Sequence, residues 1–459
     1  MWDLRIIDTD QSLYIAIADA MQRDINLGKL LPGERLPTHR QLAKTVGVNV
    51  TTVTRAYKEA ERRGLIVSTV GSGTFVSPDL GRSSTFFGSP TTASTYVEMG
   101  MVLPMHYLEP DIRDLLQMTS RKTDWTSFMA YTPPEGCPAH RATGAKWMRE
   151  LGYPAHPEQV IVTAGVQHAL MCVLSSIFSP GDAIAVDQLT YPAFKSAAAR
   201  CGLRLEPVSM DAEGMCPIAL TSLVNRVPIK GIYTVSVMQN PTTAQMTTAR
   251  RAAIIDIIRR HDLVLLEDDI YRFMAIDPVA PLSADIPEQS IYFAGVSKAF
   301  YAGLRIAFLA SPQKYYARIA QGIVDTMWMA PALNAELVCN CIESGLSEKI
   351  IEIKRAEIRK RAGLLAKYFS GMDYSYASDS MFVWLRLPKG RNAREFEKES
   401  AELGVHLVAA EEFAVGHAAR PDAVRISLTG AEDYYTFEHG LDVVKRLLNQ
   451  EIHPVGSIL

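Results

Sequence analysis

Apolar positions along this chain recur with two different periods, and the change of period divides it. In QSLYIAIADAMQRDINLG, Leu13, Ile17, Ala20, Met21 and Ile25 stand at helical spacing, and Gly28 stops the helix. KLLPGERLP is a loop with two prolines. HRQLAKTVGV then predicts a short helix ended by Gly47. NVTTVTRAYKEAERRG predicts a third, with Asn49 as N-cap and Val53, Ala56, Tyr57 and Ala60 as its apolar stripe. A turn of about four residues holding Gly47 joins these two helices, which is helix-turn-helix spacing. LIVSTVGSGTFV alternates around Gly71 and Gly73 and predicts a β-hairpin wing. PDLGRSSTFFGSPTTASTY, residues 78–96, is rich in Ser, Thr, Gly and Pro and reads as a linker that lets two domains move relative to each other.

From residue 97 the pattern becomes short apolar runs alternating with helical stretches. QVIVTAG, DAIAVDQ, IKGIYTVSV, LVLLEDD, IYFAGVS and RIAFLA are separated by helices such as HALMCVLSSIF and RRAAIIDIIRRH. Buried strands alternating with helices predict an α/β domain with a mostly parallel sheet covered on both faces. After residue 347 a long charged helix, EKIIEIKRAEIRKRAGLLAKYF, leads to strands FVWLRL, VHLVAA and AVRISL, a smaller α+β subdomain. The expected boundaries are 10–77 for the winged helix, 78–96 for the linker, 97–347 for the large domain and 348–459 for the small one.

Composition narrows the function classes. The chain has 459 residues, 48% hydrophobic and 21% charged, which is ordinary globular composition and excludes whole-chain disorder. A net charge of −3 means that any nucleic-acid surface is a local patch. Such a patch exists between Arg35 and Arg63, where seven basic residues (Arg35, Arg40, Lys44, Arg55, Lys58, Arg62, Arg63) face two acidic ones (Glu59, Glu61). The opening residues carry Asp3, Asp8 and Asp10 and do not read as a secretory signal, and no run approaches a membrane span. The six cysteines (Cys137, Cys172, Cys201, Cys216, Cys339, Cys341) are scattered, which suits reduced thiols and a cytoplasmic location. Cys339 and Cys341 sit in an apolar stretch without a second ligand pair, so no metal is expected.

Four segments carry chemistry, each leaving a predicted strand where ligands of open α/β sheets bind. In GVSKAFYAGLRIAF, Lys298 follows a strand and Arg305 comes seven residues later. A lysine amine in a dry site forms a Schiff base with an aldehyde, and an arginine holds a phosphate with a planar fork. In LVLLEDDIY, Asp268 is placed to keep a pyridine nitrogen protonated and Tyr271 to bond a ring oxygen. VSVMQNPTT puts Asn240 and Pro241 at another strand end, and IVTAGVQHAL sets Gly165 to Gln167 at a helix start suited to phosphate.

These S-K-x6-R, D-x-x-Y and N-P segments, in this order, resemble the fold-type I pyridoxal-phosphate enzymes, the aspartate aminotransferase superfamily. LPGERLPTHRQLA, TTVTRAY and GLIVSTVGSGTFV resemble the GntR-type winged helix. Both in one chain are similar to the MocR-type transcriptional regulators. The resemblance implies pyridoxal 5′-phosphate as cofactor, with Lys298 its aldimine lysine, Asp268 the partner of the pyridinium nitrogen, and Asn240 and Tyr271 the partners of the phenolic oxygen. It makes Tyr191 the stacking aromatic and Val166, Gln167, Ser297 and Arg305 the phosphate cup. Tyr131 matches a residue reaching the neighbouring subunit's phosphate in a homodimer, and Arg425 the arginine gripping a substrate carboxylate.

Two positions depart from the relatives. Gly295 stands where many carry a hydroxyl residue for the phosphate. Asn49 and Val50 stand where a Ser-Arg pair is common, leaving Arg40, Thr51, Thr52 and Arg55, with Asn49 and Val50, to meet DNA, Val50 against a thymine methyl. The implied function is a regulator that binds a double-stranded DNA operator and senses a small amine, an amino acid or the cofactor itself through aldimine exchange at Lys298. The alternative is an active class I/II aminotransferase, using Lys298, Asp268 and Tyr271 catalytically, with an accessory DNA-binding domain.

Overall fold

The computed structural model describes residues 12–26, 29–30, 34–62, 65–69, 73–76, 96–122, 126, 128, 130–276, 279–416, 418 and 420–450. Gly28, Arg63, Gly71, the opening aspartates and, apart from Tyr96, the expected linker lie outside the described residues. The chain divides into two compact units, Met1–Thr91 and Thr92–Leu459.

In the first unit, helices Leu13–Asn26, His39–Val46 and Val50–Arg62 precede strands β1 (Ile66–Thr69) and β2 (Gly73–Val76). Thr38 and Gln41 form a capping box at the second helix, and Gly47 ends it at φ 71°, a left-handed conformation that suits glycine. The Asn49 carboxamide oxygen accepts the Thr51 N–H at 3.0 Å and caps the third. Ile17, Met21, Leu42, Val53, Ala56, Tyr57 and Val76 form its core. β1 and β2 pair antiparallel, the expected wing.

In the second unit, β3 (Val97–Glu98) is followed by β4 (Val160–Thr163), β5 (Ala183–Asp187), β6 (Arg204–Val208), a small hairpin of β7 (Met210–Asp211) and β8 (Gly214–Met215), then β9 (Ile229–Thr234), β10 (Val264–Asp268), β11 (Ser290–Gly295) and β12 (Ala307–Ala310). Seven of these form one sheet in the order β4-β12-β11-β10-β9-β5-β6. All neighbours are parallel except β12, which runs against both β11 and β4. Alternate residues serve two cores: Ile184, Val186 and Leu266 pack with Leu170 and Phe194, while Ala183, Ala185 and Leu265 pack with Leu220, Ile254 and Ile258.

The C-terminal part holds an antiparallel sheet, β13 (Tyr374–Ser375), β14 (Phe382–Arg386), β17 (Ala423–Ser427) and β16 (Val408–Ala409), in that order. Two details differ from the sequence reading. VHLVAA is split at Leu407: β15 (Val405–His406) pairs parallel with β3, and β16 pairs with β17. The start of the large-domain segment therefore runs beside the C-terminal part. β6 is an added edge strand, hidden in the sequence because RLEPV has a proline and charges, which an edge position tolerates. Among the described residues, no helix is long and apolar enough to cross a membrane. All six cysteines are free thiols, with Cys339 and Cys341 buried in helix Ala332–Glu343.

Candidate cofactor and effector site

The parallel strands bring their C-terminal ends to one edge of the large sheet, and the candidate residues collect there. Asp268 ends β10, Lys298 follows β11, Asn240 follows β9, and Tyr191 starts helix Pro192–Arg200 after β5. Arg305 precedes its strand instead. It reaches the same edge because β12 runs backwards, with Ala307 opposite both Gly295 and Thr163.

Lys298 is partly buried, and its amine donates to the Val102 carbonyl at 2.5 Å. Burial, with the charges of Arg425 and Arg305, brings it down to about 8. Asp268 and Asp269 are both buried, and the structure distinguishes them. Asp269 is taken up by an ion pair with buried Arg272 and a bond from the Tyr292 hydroxyl at 3.1 Å. Asp268 accepts from Tyr233 at 2.8 Å through Oδ2, and its buried Oδ1 has no protein partner. Burial pushes Asp268 up to about 7. Tyr271 is buried edge-on to Phe382, and Tyr191 is pushed up to about 12 by burial.

Gly165, at φ 84°, precedes helix Val166–Ile177. A Cβ there would stand 2.5 Å from Arg305 Nη2, so the guanidinium lies directly over the helix start. Arg305 Nη1 donates to Ser297 Oγ at 2.9 Å. Guanidinium, hydroxyl and the first N–H groups of a helix form a cradle for phosphate. Gln167 donates weakly to the Ala193 carbonyl at 3.4 Å. The glycine at 295 has a local reason: a Cβ would lie 2.7 Å from Val166 Cγ2, so the Val166 side chain fills the space a hydroxyl residue would need.

Arg425, on β17, is buried. It donates to Asn240 Oδ1 and to the Gly100 carbonyl, both at 2.6 Å, and lies over the rings of Phe382 and Phe413. Its Nε is buried without a partner. The Tyr131 ring is 82% exposed and sits 5.7 Å from that of Trp328. Sequence reasoning missed Tyr233 and the carbonyls of Gly100 and Val102: an aromatic inside an apolar strand and a backbone oxygen leave no mark in residue type.

In the winged helix, Arg40, Thr51 and Arg55 are exposed and Thr52 is half-buried. Val50 is 41% exposed, Asn49 spends its oxygen on the helix start, and the Arg55 guanidinium lies 4.5 Å above the Tyr14 ring. Arg40→Ala is expected to weaken DNA binding and lower the slope of log affinity against log salt by about one. An unchanged slope in a salt titration would remove Arg40 from the interface.

The buried carboxyls give a stability prediction. A folded-state value near 7 against roughly 4 in the unfolded chain means the native state holds more protons in between, so stability falls as pH rises through that window. Asp187, pushed up to about 7 by burial, acts in the same direction. Asp268→Asn removes one such loss. Between pH 5 and 8 the cofactor-free variant is expected to gain about 5 °C in Tm relative to wild type. Parallel Tm curves would contradict this.

An amine, a buried carboxylate with one oxygen unspent and a phosphate cradle at one edge of the large sheet, met by a buried arginine from the C-terminal sheet, make a candidate site of the aminotransferase kind in a chain that also carries a winged helix. The chain belongs to the aminotransferase class I and II family, whose model matches residues 106–438. The bacterial regulatory protein gntR family matches residues 13–76, an order of domains consistent with MocR-type regulators. Pyridoxal 5′-phosphate is the cofactor of this aminotransferase family, and the residues present fit it.

The chain is 32% identical to an uncharacterized HTH-type transcriptional regulator of Bacillus subtilis, YdeF, over 98% of this chain and 97% of the relative. It is 25% identical to the vitamin B6 salvage pathway transcriptional repressor PtsJ of Salmonella typhimurium, over 91% and 94% of the two chains. The α-aminoadipate aminotransferase LysN of Thermus thermophilus, solved with N-(5'-phosphopyridoxyl)-L-leucine, shares the fold at a TM-score of 0.70 and 24% identity, covering 77% of this chain and 92% of that one. The chain is thus a transcriptional regulator with an aminotransferase-like domain.

Proposed function

We propose that this regulator senses a small amino acid at the Lys298–Arg425 edge and that occupancy of the edge changes its grip on a double-stranded DNA operator. In this reading Lys298, Asp268, Tyr271, Asn240 and Tyr191 hold the cofactor ring, and Val166, Gln167, Ser297 and Arg305 its phosphate. When bound, the cofactor supplies an aldehyde carbon for amines and an electron-withdrawing ring. Arg425 takes the carboxylate of the effector.

One observation carries the reading: both cations donate to the same short strap. Lys298 bonds the Val102 carbonyl and Arg425 the Gly100 carbonyl, in the first described segment after the expected linker. The strap is held from its other side. The Glu98 carboxylate accepts the N–H groups of Gly100 and Met101 at 2.7 and 2.8 Å and meets His406 at 2.8 Å, and Tyr96 stacks on His406. A carboxylate arriving at Arg425 competes with Gly100 for the same donors, so ligand affinity and strap position are linked. Hydrogen exchange of residues 97–103 tests this. Adding cofactor and then an amino acid should change their exchange at least about threefold, and identical exchange in all states would defeat the reading.

Further proposals follow from it. The working parts are residues 10–77, 78–96, 97–347 and 348–459, in a cytoplasmic homodimer to which exposed Tyr131 contributes across the subunit boundary. A second reading, an active aminotransferase, is favoured by the Lys298 amine near 8, which suits proton transfer at physiological pH. Steady multiple turnover with an amino donor and a 2-oxo acid would establish it.

A further inference from the structure

We infer that Tyr233 is a positioning residue for the cofactor: its hydroxyl holds Oδ2 of Asp268 and so reserves Oδ1 for the ring nitrogen. This rests on the reading that the site holds pyridoxal phosphate.

Three observations carry it. Tyr233 lies on β9, beside β10, is fully buried, and donates to Asp268 Oδ2 at 2.8 Å. Its ring is stacked flat on Phe194, with centroids 3.6 Å and planes 8° apart, so the hydroxyl is fixed in direction. The remaining oxygen, Oδ1, is buried without a partner. Phe194 lies in the helix that starts at Tyr191, so one element supports both the aromatic proposed to cover the ring and the phenol that aims the carboxylate.

A phenol that donates to a buried carboxylate stabilises its charged form. The other ionisable groups facing this pair are Asp269, already paired with Arg272, and Asp187, Tyr191 and Tyr271. None of them bonds Asp268, so among the described residues Tyr233 is its one side-chain donor and, with a smaller contribution from the Ile270 backbone N–H, opposes the rise in basicity that burial causes. Without that bond Asp268 would be more basic and would keep more of the proton it shares with a bound ring nitrogen, so a bound ring would carry less positive charge and its link to Lys298 would protonate at higher pH.

The test follows the bound cofactor's visible absorbance against pH in full-length holoprotein. Tyr233→Phe is expected to raise the midpoint by about 0.5 to 1 pH unit and to weaken cofactor retention about threefold to tenfold. A purely structural role would lower Tm and leave the midpoint in place, which would overturn the inference. Site-specific 2,3-difluorotyrosine at 233 covers the case in which the phenylalanine variant fails to fold. It fits the same slot with a more acidic hydroxyl and should lower the midpoint, and an unchanged midpoint counts against the inference. If wild type takes up no cofactor, the underlying reading fails with it. If wild type is loaded and neither substitution moves the midpoint, only the role of Tyr233 falls.

Discussion

Lys298→Ala is expected to give a folded, DNA-binding protein that holds pyridoxal phosphate about 100-fold more weakly and fixes none of it on borohydride reduction. The amine sits near 8, so at pH 7.5 roughly a quarter of it is unprotonated and ready to react with an aldehyde. Burial does this work, aided by Arg425 and Arg305. Alanine removes the only covalent anchor proposed and leaves the phosphate cradle, Asp268 and the stacking ring to hold the cofactor alone. The cost to folding is small, because the lost partner is one backbone carbonyl, that of Val102, worth about 1 kcal/mol. Spectra before and after reduction, with peptide mapping of the fixed adduct, check the result. An adduct on another lysine, or equal retention by the variant, would move the site elsewhere.

Arg425→Leu is expected to abolish the response to amino acids and spare the reaction with simple amines. A buried guanidinium offers a carboxylate two charge-assisted bonds of about 1.5–3 kcal/mol each, so its loss should weaken carboxylate-bearing effectors by about 10² to 10⁴-fold. The variant also leaves the Asn240 oxygen and the Gly100 carbonyl without the donors they now have. Its Tm should therefore fall, and Arg425→Lys should recover part of the Tm but little of the response, because an ammonium cannot form the planar fork. Absorbance titrations with paired amine and amino-acid ligands separate the two effects. Equal weakening of both ligand classes would show that Arg425 supports the site and does not read the carboxylate.

The large sheet was legible because its strands are short apolar runs ending in polar punctuation, and that punctuation supplies the candidate site. Lys298, Asp268, Asn240 and Tyr191 stand at strand ends because the parallel crossover puts those ends on one edge. Arg305 was found by spacing, yet its arrival there depends on β12 running backwards, which no local pattern encodes. Three parts of the site stayed hidden. Val166 and Gly295 exchange volume across two elements, so neither residue explains itself alone. Tyr233 sits in a run where an aromatic reads as core, and only the adjacent strand gives its hydroxyl a use. The strap at Gly100 to Val102 acts through backbone carbonyls, which every sequence has.

The winged helix was read in the same way, through Gly47 and the Ala56–Tyr57–Ala60 stripe. Among its candidate DNA contacts, Arg40, Asn49, Val50, Thr51 and Arg55 are all exposed, the Asn49 oxygen caps the helix, the Arg55 guanidinium lies over the Tyr14 ring, and Thr52 is half-buried.

The most direct test of the account is the affinity of the full-length protein for a duplex selected by the protein itself from a random pool. It is measured cofactor-free, cofactor-loaded, and cofactor-loaded with a panel of amino acids, beside Lys298→Ala. At least one loaded state of the wild type is expected to differ from the cofactor-free protein by about threefold or more, and Lys298→Ala to have one affinity throughout. Equal wild-type affinity and footprint in every state would contradict it.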